Sequence, residues 1–95
     1  MDREAALAWA ADARAARSEL VDALGTGRMT LDAVLIRAGV EPLVARIKVL
    51  TVLEALPGAL KVGTRRRLDE LSIGHATPIG VIDRHVLIAS FGPGR

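Results

Sequence analysis

Apolar residues recur along the N-terminal part of the chain at the intervals of a helix. Residues 3–24 keep Leu, Val and Ala at i, i+3 and i+4 spacing and end at the sequence 25–27, Gly-Thr-Gly, which predicts one long, Ala-rich helix. Thr30 precedes a second apolar pattern over residues 31–38, and its hydroxyl is suited to accept from the free N–H groups of a first turn. The pattern therefore predicts two helices in the first part of the chain.

Residues 42–56 are apolar on nearly every side, which predicts one continuous helix at the centre of the core. Val44, Lys48 and Thr51 form the weaker sector, which we expect to face outward. Pro57 and Gly58 end the pattern, since neither continues a helix.

Two shorter helices are predicted in the remainder. Thr64 is a candidate cap for a fourth helix that turns Leu68 and Leu71 to the core, and Asp83 is a candidate cap for a final helix that ends at Phe91. A strand around residues 86–88 is the competing interpretation, because β-branched residues cluster there.

These elements predict an all-α fold with two parts. Residues 1–27 form a helical arm whose stripe of small residues buries modest area, and residues 28–95 form a compact helical domain. Trp9 lies on the arm, where it is either an anchor that touches the domain or a contact with a partner.

Composition narrows the class of protein. The chain has 95 residues and no cysteine, which excludes disulfides, Cys-ligated zinc and thiol catalysis and favours the reducing cytoplasm. No apolar run approaches the roughly 18 residues of a membrane span, so we expect a soluble protein without membrane contact. An enzyme is the weakest class and no cofactor is expected, because His75 and His85 are too few for a metal set and no serine lies in a nucleophile motif.

Basic residues are concentrated in the middle of the chain. The net charge is only +2, yet residues 46–67 hold six basic residues against the single acid Glu54. Trp9 and Phe91 are the only large aromatic residues, so the chain lacks the stacking platforms of single-strand binders. If the partner is a polynucleotide, this composition favours the backbone of a duplex.

The densest basic stretch is Lys61 with Arg65, Arg66 and Arg67, shortly after the turn at Gly58. At the start of a helix these cations would oppose the macrodipole but reinforce anion binding, which favours a phosphate contact. The alternative is a solvated face of i,i+3 and i,i+4 ion pairs. Those pairs would be Arg65 with Asp69, Arg66 with Glu70, and Arg67 with Glu70.

The chain also resembles a known family. The residues that carry the resemblance are Arg14, Arg17, Glu19, Leu20, Asp22 and Leu24, the block RIKVLTVLEALPGALKV at 46–62, then Leu71, Ile73, Phe91 and Gly92. On these residues it is similar to the actinobacterial integration host factor family, the mycobacterial and streptomycete type, as a diverged member.

The resemblance implies a long N-terminal helix followed by a domain of helix–two-turn–helix type. It implies a nucleoid-associated protein that binds duplex DNA with little sequence specificity and, in some members, supports an integrase. Carried over by position, it points to a DNA surface of Gly58, Lys61, Arg65, Arg66 and Arg67. Arg14, Arg17, Arg46 and Lys48 are weaker candidates for the same surface.

Departures from the family pattern predict weaker DNA binding. Leu60 stands where the family commonly has a turn glycine, and the loop after Ile73 is shorter and lacks the family's arginines. Fewer cations release fewer counterions, so we expect lower affinity and a shallower dependence on salt. The alternative function is a helical protein-interaction module of the same fold, acting on a nucleoid protein or an integrase.

Overall fold

The computed structural model describes residues 2–92, and these fold into six α-helices and one 3-10 helix. They are α1 (Arg3–Gly25), α2 (Leu31–Ala38), α3 (Pro42–Ala45), α4 (Val49–Ala55), α5 (Lys61–Glu70) and α6 (Arg84–Phe91), with the 3-10 helix at Ile79–Val81. The predicted all-α fold is confirmed. Among the described residues, no helix combines the length and the apolarity that crossing a bilayer would need.

Three helices begin at polar side chains that satisfy first-turn N–H groups. The Asp2 carboxylate accepts from Ala5 N at 2.7 Å, the Thr30 hydroxyl from Ala33 N at 3.2 Å, and the Asp83 carboxylate from His85 N at 2.8 Å. The predicted caps at Thr30 and Asp83 are confirmed. The last segment is a helix, so the competing strand is wrong.

The core lies where the six α-helices and the 3-10 helix meet, and α1 reaches it only with its C-terminal half. Leu20 and Leu24 of α1 are buried, whereas residues 2–9 are all exposed. The other fully buried side chains include Val34, Val44, Val49, Val52, Leu53, Leu68, Ile79 and Leu87. The N-terminal half of α1 therefore lies outside the buried core, while the boundary at residue 27 stays a prediction.

The continuous helix predicted over residues 42–56 is wrong, because it is interrupted between α3 and α4. Lys48 has extended backbone angles (φ −63°, ψ 137°) and pairs with Pro78 in an isolated antiparallel bridge. Ile79 N donates to Ile47 O at 2.8 Å. Hydrogen bonds to the 3-10 helix and to the loop before it thus replace helical ones. This is a tertiary effect, which the apolar periodicity of the sequence cannot predict.

Val44 is also placed differently from the prediction. It was expected on the outward sector, but it is only 1% exposed. Because the helix is interrupted after Ala45, Val44 does not share one helix face with Lys48 and Thr51, and it packs into the core with the buried residues of α4. Lys48, by contrast, is exposed as predicted.

The predicted cap at Thr64 is wrong, because α5 already begins at Lys61. Leu60 occupies the N-cap position without a side-chain cap, and Thr64 N donates to Leu60 O at 2.8 Å. Thr64 is 8% exposed, so it faces the core from within the helix. Arg65, Arg66 and Arg67 therefore lie past the first turn, away from the helix start.

Candidate nucleic-acid interface

A cleft of about 350 Å³ opens between α1 and the α3–α4 junction, and four cations line it. The residues of this basic cleft are Trp9, Ala13, Arg14, Arg17, Leu43, Arg46, Ile47, Lys48 and Thr51. None of the lining residues is an Asp or a Glu. The four residues named as weaker candidates from the sequence are thus brought together without a carboxylate among them.

The α1 side of the basic cleft continues the stripe that packs into the core. Leu24, Leu20, Arg17, Ala13 and Trp9 follow one another at intervals of three or four residues, which places them on one helix face. The stripe is buried at Leu20 and Leu24 but more open at Arg17 and Trp9. The packing that fixes α1 on the body therefore also aims Arg17 and Trp9 at the cleft.

The other side of the basic cleft depends on the break between α3 and α4. In a continuous helix, Arg46 and Lys48 would point about 200° apart, since each residue turns by about 100°. Because Lys48 adopts an extended conformation after α3 ends, both side chains line the same cleft. The interruption that the sequence did not predict is what assembles this half of the site.

Arg46 stacks on Trp9. The guanidinium carbon lies 4.8 Å from the centroid of the indole ring, within the range of a cation–π interaction. Trp9 is 43% exposed, so more than half of its surface is covered, in part by this contact, and the rest is open to solvent. The members of the cleft that the sequence did not assign to the site are Trp9, Ala13, Leu43, Ile47 and Thr51.

The three arginines of α5 point in different directions. Arg66 lies opposite the buried face of Thr64 and Leu68, and no carboxylate within residues 2–92 is in ion-pair distance of it. Arg65 lies 3.7 Å from Glu54 Oε2, and Arg67 lies 3.9 Å from Glu70 Oε2. The stretch therefore does not present a single basic face.

The ion pairs predicted for that stretch are found only in part. Arg67 does pair with Glu70, but Arg65 reaches across to Glu54 of α4. Asp69, the predicted partner of Arg65, instead contacts His75 Nε2 at 2.9 Å. Such partly exposed pairs contribute about 0–1 kcal/mol each, so they only weakly oppose a competing phosphate.

The turn before α5 retains features of an anion site. Gly58 has a positive φ of 77°, which a residue with a side chain rarely adopts. The first-turn N–H groups of Lys61, Val62 and Gly63 have no acceptor within residues 2–92. Leu60 has ordinary extended angles (φ −103°, ψ 120°) and its side chain is 75% exposed, so this backbone does not require the family's glycine.

Arg37 is an example of an arginine that is not available to a ligand. Its Nε and a terminal nitrogen donate to the two Glu41 oxygens at 2.7 and 2.9 Å. This side-chain hydrogen bonding lowers the pKa of Glu41 and raises the pKa of Arg37, with the attraction between the two charges adding to both shifts. The guanidinium of Arg37 on α2 is thus occupied by Glu41, the N-cap residue of α3.

Within residues 2–92 there is no group of three or more His, Asp or Glu placed to hold a metal ion. The arrangement that distinguishes this molecule is an all-helical body, a long N-terminal helix and an acid-free basic cleft between them. That combination defines the class as a small helical protein with a concentrated basic surface.

Comparisons with known proteins identify the family. The integration host factor of Mycobacterium tuberculosis is 39% identical over 93 residues, covering 95% of this chain and 89% of the relative. The integration host factor of Mycolicibacterium smegmatis is 44% identical over 71 residues, covering 75% and 68%. The chain belongs to the integration host factor family of the mycobacterial type. A scan against family models gave no match.

A solved structure agrees with this assignment. The structure of sIHF bound to an 8-bp palindromic DNA matches with a TM-score of 0.79 and 27% sequence identity, covering 87% of this chain and 97% of the other. The likeness therefore extends over nearly the whole of both chains.

Proposed function

We propose that this protein binds duplex DNA through the phosphate backbone, as a small nucleoid-associated architectural protein of the cytoplasm. The observation that carries the proposal is the basic cleft, where Arg14, Arg17, Arg46 and Lys48 meet without a carboxylate in a chain of net charge +2. Clefts lined by one sign of charge focus the potential and attract a polyanion. The likeness to a protein solved in complex with DNA supports a duplex as that polyanion.

Residues at the turn and on α5 support the same function to a smaller degree. Gly58 lies in the turn before α5, and Lys61 lies in the first turn of α5, where the N–H groups have no acceptor in the described part of the chain. Arg66 is an exposed cation without a partner in residues 2–92. Arg65 and Arg67 are partly engaged by carboxylates, so we expect weaker contributions from them. The proposal therefore ranks the cleft residues above those of the turn and α5, which is the reverse of the ranking from the sequence.

The absence of two base-reading residue types supports low sequence specificity. The chain contains no Asn and no Gln, the side chains that read adenine edges with paired hydrogen bonds. Phosphate contacts position a protein on a duplex without reading bases. We therefore expect an architectural role, and support of integrase complexes would operate through DNA shape and not through a shared recognition sequence.

The test is a fluorescence anisotropy titration of unrelated AT-rich and GC-rich duplexes at several salt concentrations. We expect similar affinities for all duplexes and a log–log salt slope of roughly −4 to −5, about −0.9 for each phosphate neutralised by the four cleft cations and by Arg66. Absence of binding at low salt, or binding that is indifferent to salt, would refute the proposal.

One observation favours the alternative, a protein-interaction module. Leu60 and Val62, two positions apart at the start of α5, are 75% and 71% exposed, and a contiguous apolar patch is typical of a partner surface. A partner that remains bound after nuclease treatment, and that binds equally to a variant with the four cleft cations changed to Ala, would establish this function. Loss of the partner on nuclease treatment would leave DNA binding as the function.

A further inference from the structure

The contact between Arg46 and Trp9 differs from the ion pairs that other arginines of this molecule make. Arg28, Arg37, Arg65 and Arg67 each have a carboxylate partner, whereas Arg46 lies over an aromatic ring 4.8 Å from its centroid. No acid lines the basic cleft, and Trp9 is the only tryptophan of the chain. The ring is therefore what holds the guanidinium in place.

An aromatic ring and a carboxylate differ in whether they occupy the N–H groups of an arginine. A carboxylate occupies the N–H edges of the guanidinium, as Glu41 does for Arg37 with bonds of 2.7 and 2.9 Å. An aromatic ring attracts the cation through its face and leaves the in-plane N–H groups free. Within residues 2–92, no hydrogen-bond acceptor is found for Arg46. Its charge-assisted donors are thus restrained but unused.

We propose that Trp9 is a positioning residue that holds Arg46 ready to bind one phosphate group of duplex DNA. The inference rests on the proposed function and deepens it, since it assigns one phosphate contact to Arg46 and a supporting role to a residue outside the charge pattern. The planar fork of a guanidinium matches two oxygens of a phosphate. Holding the side chain in place before binding reduces the conformational entropy that it loses on contact.

The geometry around the pair agrees with a phosphate as the ligand. Arg14, Arg17 and Lys48 line the same cleft, so their field strengthens the attraction for an anion at Arg46. Trp9 is 43% exposed and is not part of the buried core, so Trp9→Leu removes part of a contact with the body but no core side chain. An effect of Trp9 on DNA affinity would therefore not require a loss of folding.

The experiment is a double-mutant cycle with full-length Trp9→Leu, Arg46→Ala and the combined variant, measured by anisotropy with one labelled duplex. We expect Trp9→Leu to weaken binding about two- to fivefold, the size of an exposed cation–π contact. It should have no further effect once Arg46 is Ala. Trp9→Phe keeps a ring and should restore most of the affinity, whereas a purely structural role would be seen as a matching fall in melting temperature.

Additive effects of Trp9→Leu and Arg46→Ala would overturn the inference, because Trp9 would then act independently of Arg46. Unchanged affinity in Trp9→Leu would overturn it as well, while wild-type binding would still uphold the proposed function. Failure of the wild type to bind any duplex would refute both.

A second measurement separates DNA from a free anion. The fluorescence of Trp9 should change on addition of duplex, and inorganic phosphate should compete only at much higher concentration. A response to inorganic phosphate with none to duplex would overturn the assignment of this contact to DNA.

Discussion

The basic cleft and the arginine stretch of α5 use similar side chains in opposite ways. In the cleft, Arg14 and Arg17 of α1 meet Arg46 and Lys48 of a distant junction on one acid-free surface. In α5, Arg65, Arg66 and Arg67 are adjacent in sequence but diverge in space, and two of them approach carboxylates. Neighbours on a helix point about 100° apart, so consecutive cations in the sequence do not form one basic surface.

The comparison shows that the tertiary fold, and not the local density of charge, determines where cations converge on one surface. Cations that converge in space add their fields at one point, whereas cations distributed around a helix are solvated separately. A carboxylate beside a cation reduces its attraction for phosphate further, and none lines the cleft.

The largest expected effect comes from removing the cleft cations. We expect Arg14→Ala, Arg17→Ala, Arg46→Ala and Lys48→Ala together to lower duplex affinity by roughly a hundredfold or more and to reduce the salt slope by about 3 to 4. The triple change of Arg65, Arg66 and Arg67 to Ala should reduce the slope by only about 1, because Arg66 alone is unpaired. Anisotropy titrations over a salt series measure both.

Arg84→Ala is the matched control for that experiment. Arg84 is exposed at the start of α6 and lines neither the cleft nor the turn, so its removal changes the net charge without removing a proposed contact. Equal losses from Arg84→Ala and from single cleft variants would mean that total charge alone controls binding. A larger loss from the α5 triple variant would reverse the comparison.

The second prediction concerns the break that assembles the cleft. A Cβ on Gly80 would lie 2.6 Å from Ala45 Cβ and 3.1 Å from Ala45 Cα, so Gly80→Ala must push the 3-10 helix away from α3. We expect a loss of about 1–3 kcal/mol in the free energy of unfolding, together with weaker DNA binding because Arg46 and Lys48 move. Urea unfolding and anisotropy measure the two effects.

Gly63→Ala provides the contrast on α5. A Cβ there would lie 3.7 Å from Leu60 Cβ, which is ordinary contact, and Gly63 is within the helix. Replacing a helical glycine should stabilise the protein by about 0.5–1 kcal/mol. If Gly80→Ala were as harmless as Gly63→Ala, the close approach of the 3-10 helix to α3 would not be what holds the junction.

Much of the fold could be predicted from local signals, and much of the site could not. The caps at Thr30 and Asp83 and the long first helix depend on residues that act within one turn, and all three are confirmed. The break at Lys48 depends on hydrogen bonds from residues some thirty positions later, such as Ile79 N to Ile47 O. Thr64 had the residue type of a cap, but its burial in the core decided otherwise.

The third prediction separates two arginines of α5. Arg65 is the ion-pair partner of Glu54, whose Oε2 is buried without a hydrogen bond in the described residues, so Arg65→Ala leaves that carboxylate without its neighbouring cation. We expect a loss of up to about 1 kcal/mol in unfolding free energy. Arg66→Ala should change stability by less than about 0.5 kcal/mol but weaken DNA binding more than Arg65→Ala does. Denaturant unfolding and anisotropy on both variants test this, and the reverse order would contradict it.

The smallest expected effect distinguishes the occupied Arg37 from the open arginines of the cleft. Hydrogen bonding from Arg37 lowers the pKa of Glu41 below its ordinary value of 4.5, so the pair stabilises the fold fully above that value. The contribution is lost as the pH falls through the lowered pKa of the folded state, where Glu41 takes up a proton. Glu41→Gln should therefore be less stable than wild type at pH 7, and the two urea-unfolding profiles should converge in acid.

Duplex affinity at pH 7 should be unchanged, because Arg37 does not line the cleft. Profiles that stay parallel down to the lowest pH would show that the pair adds nothing through ionisation, and a change in DNA affinity would place α2 within the binding surface.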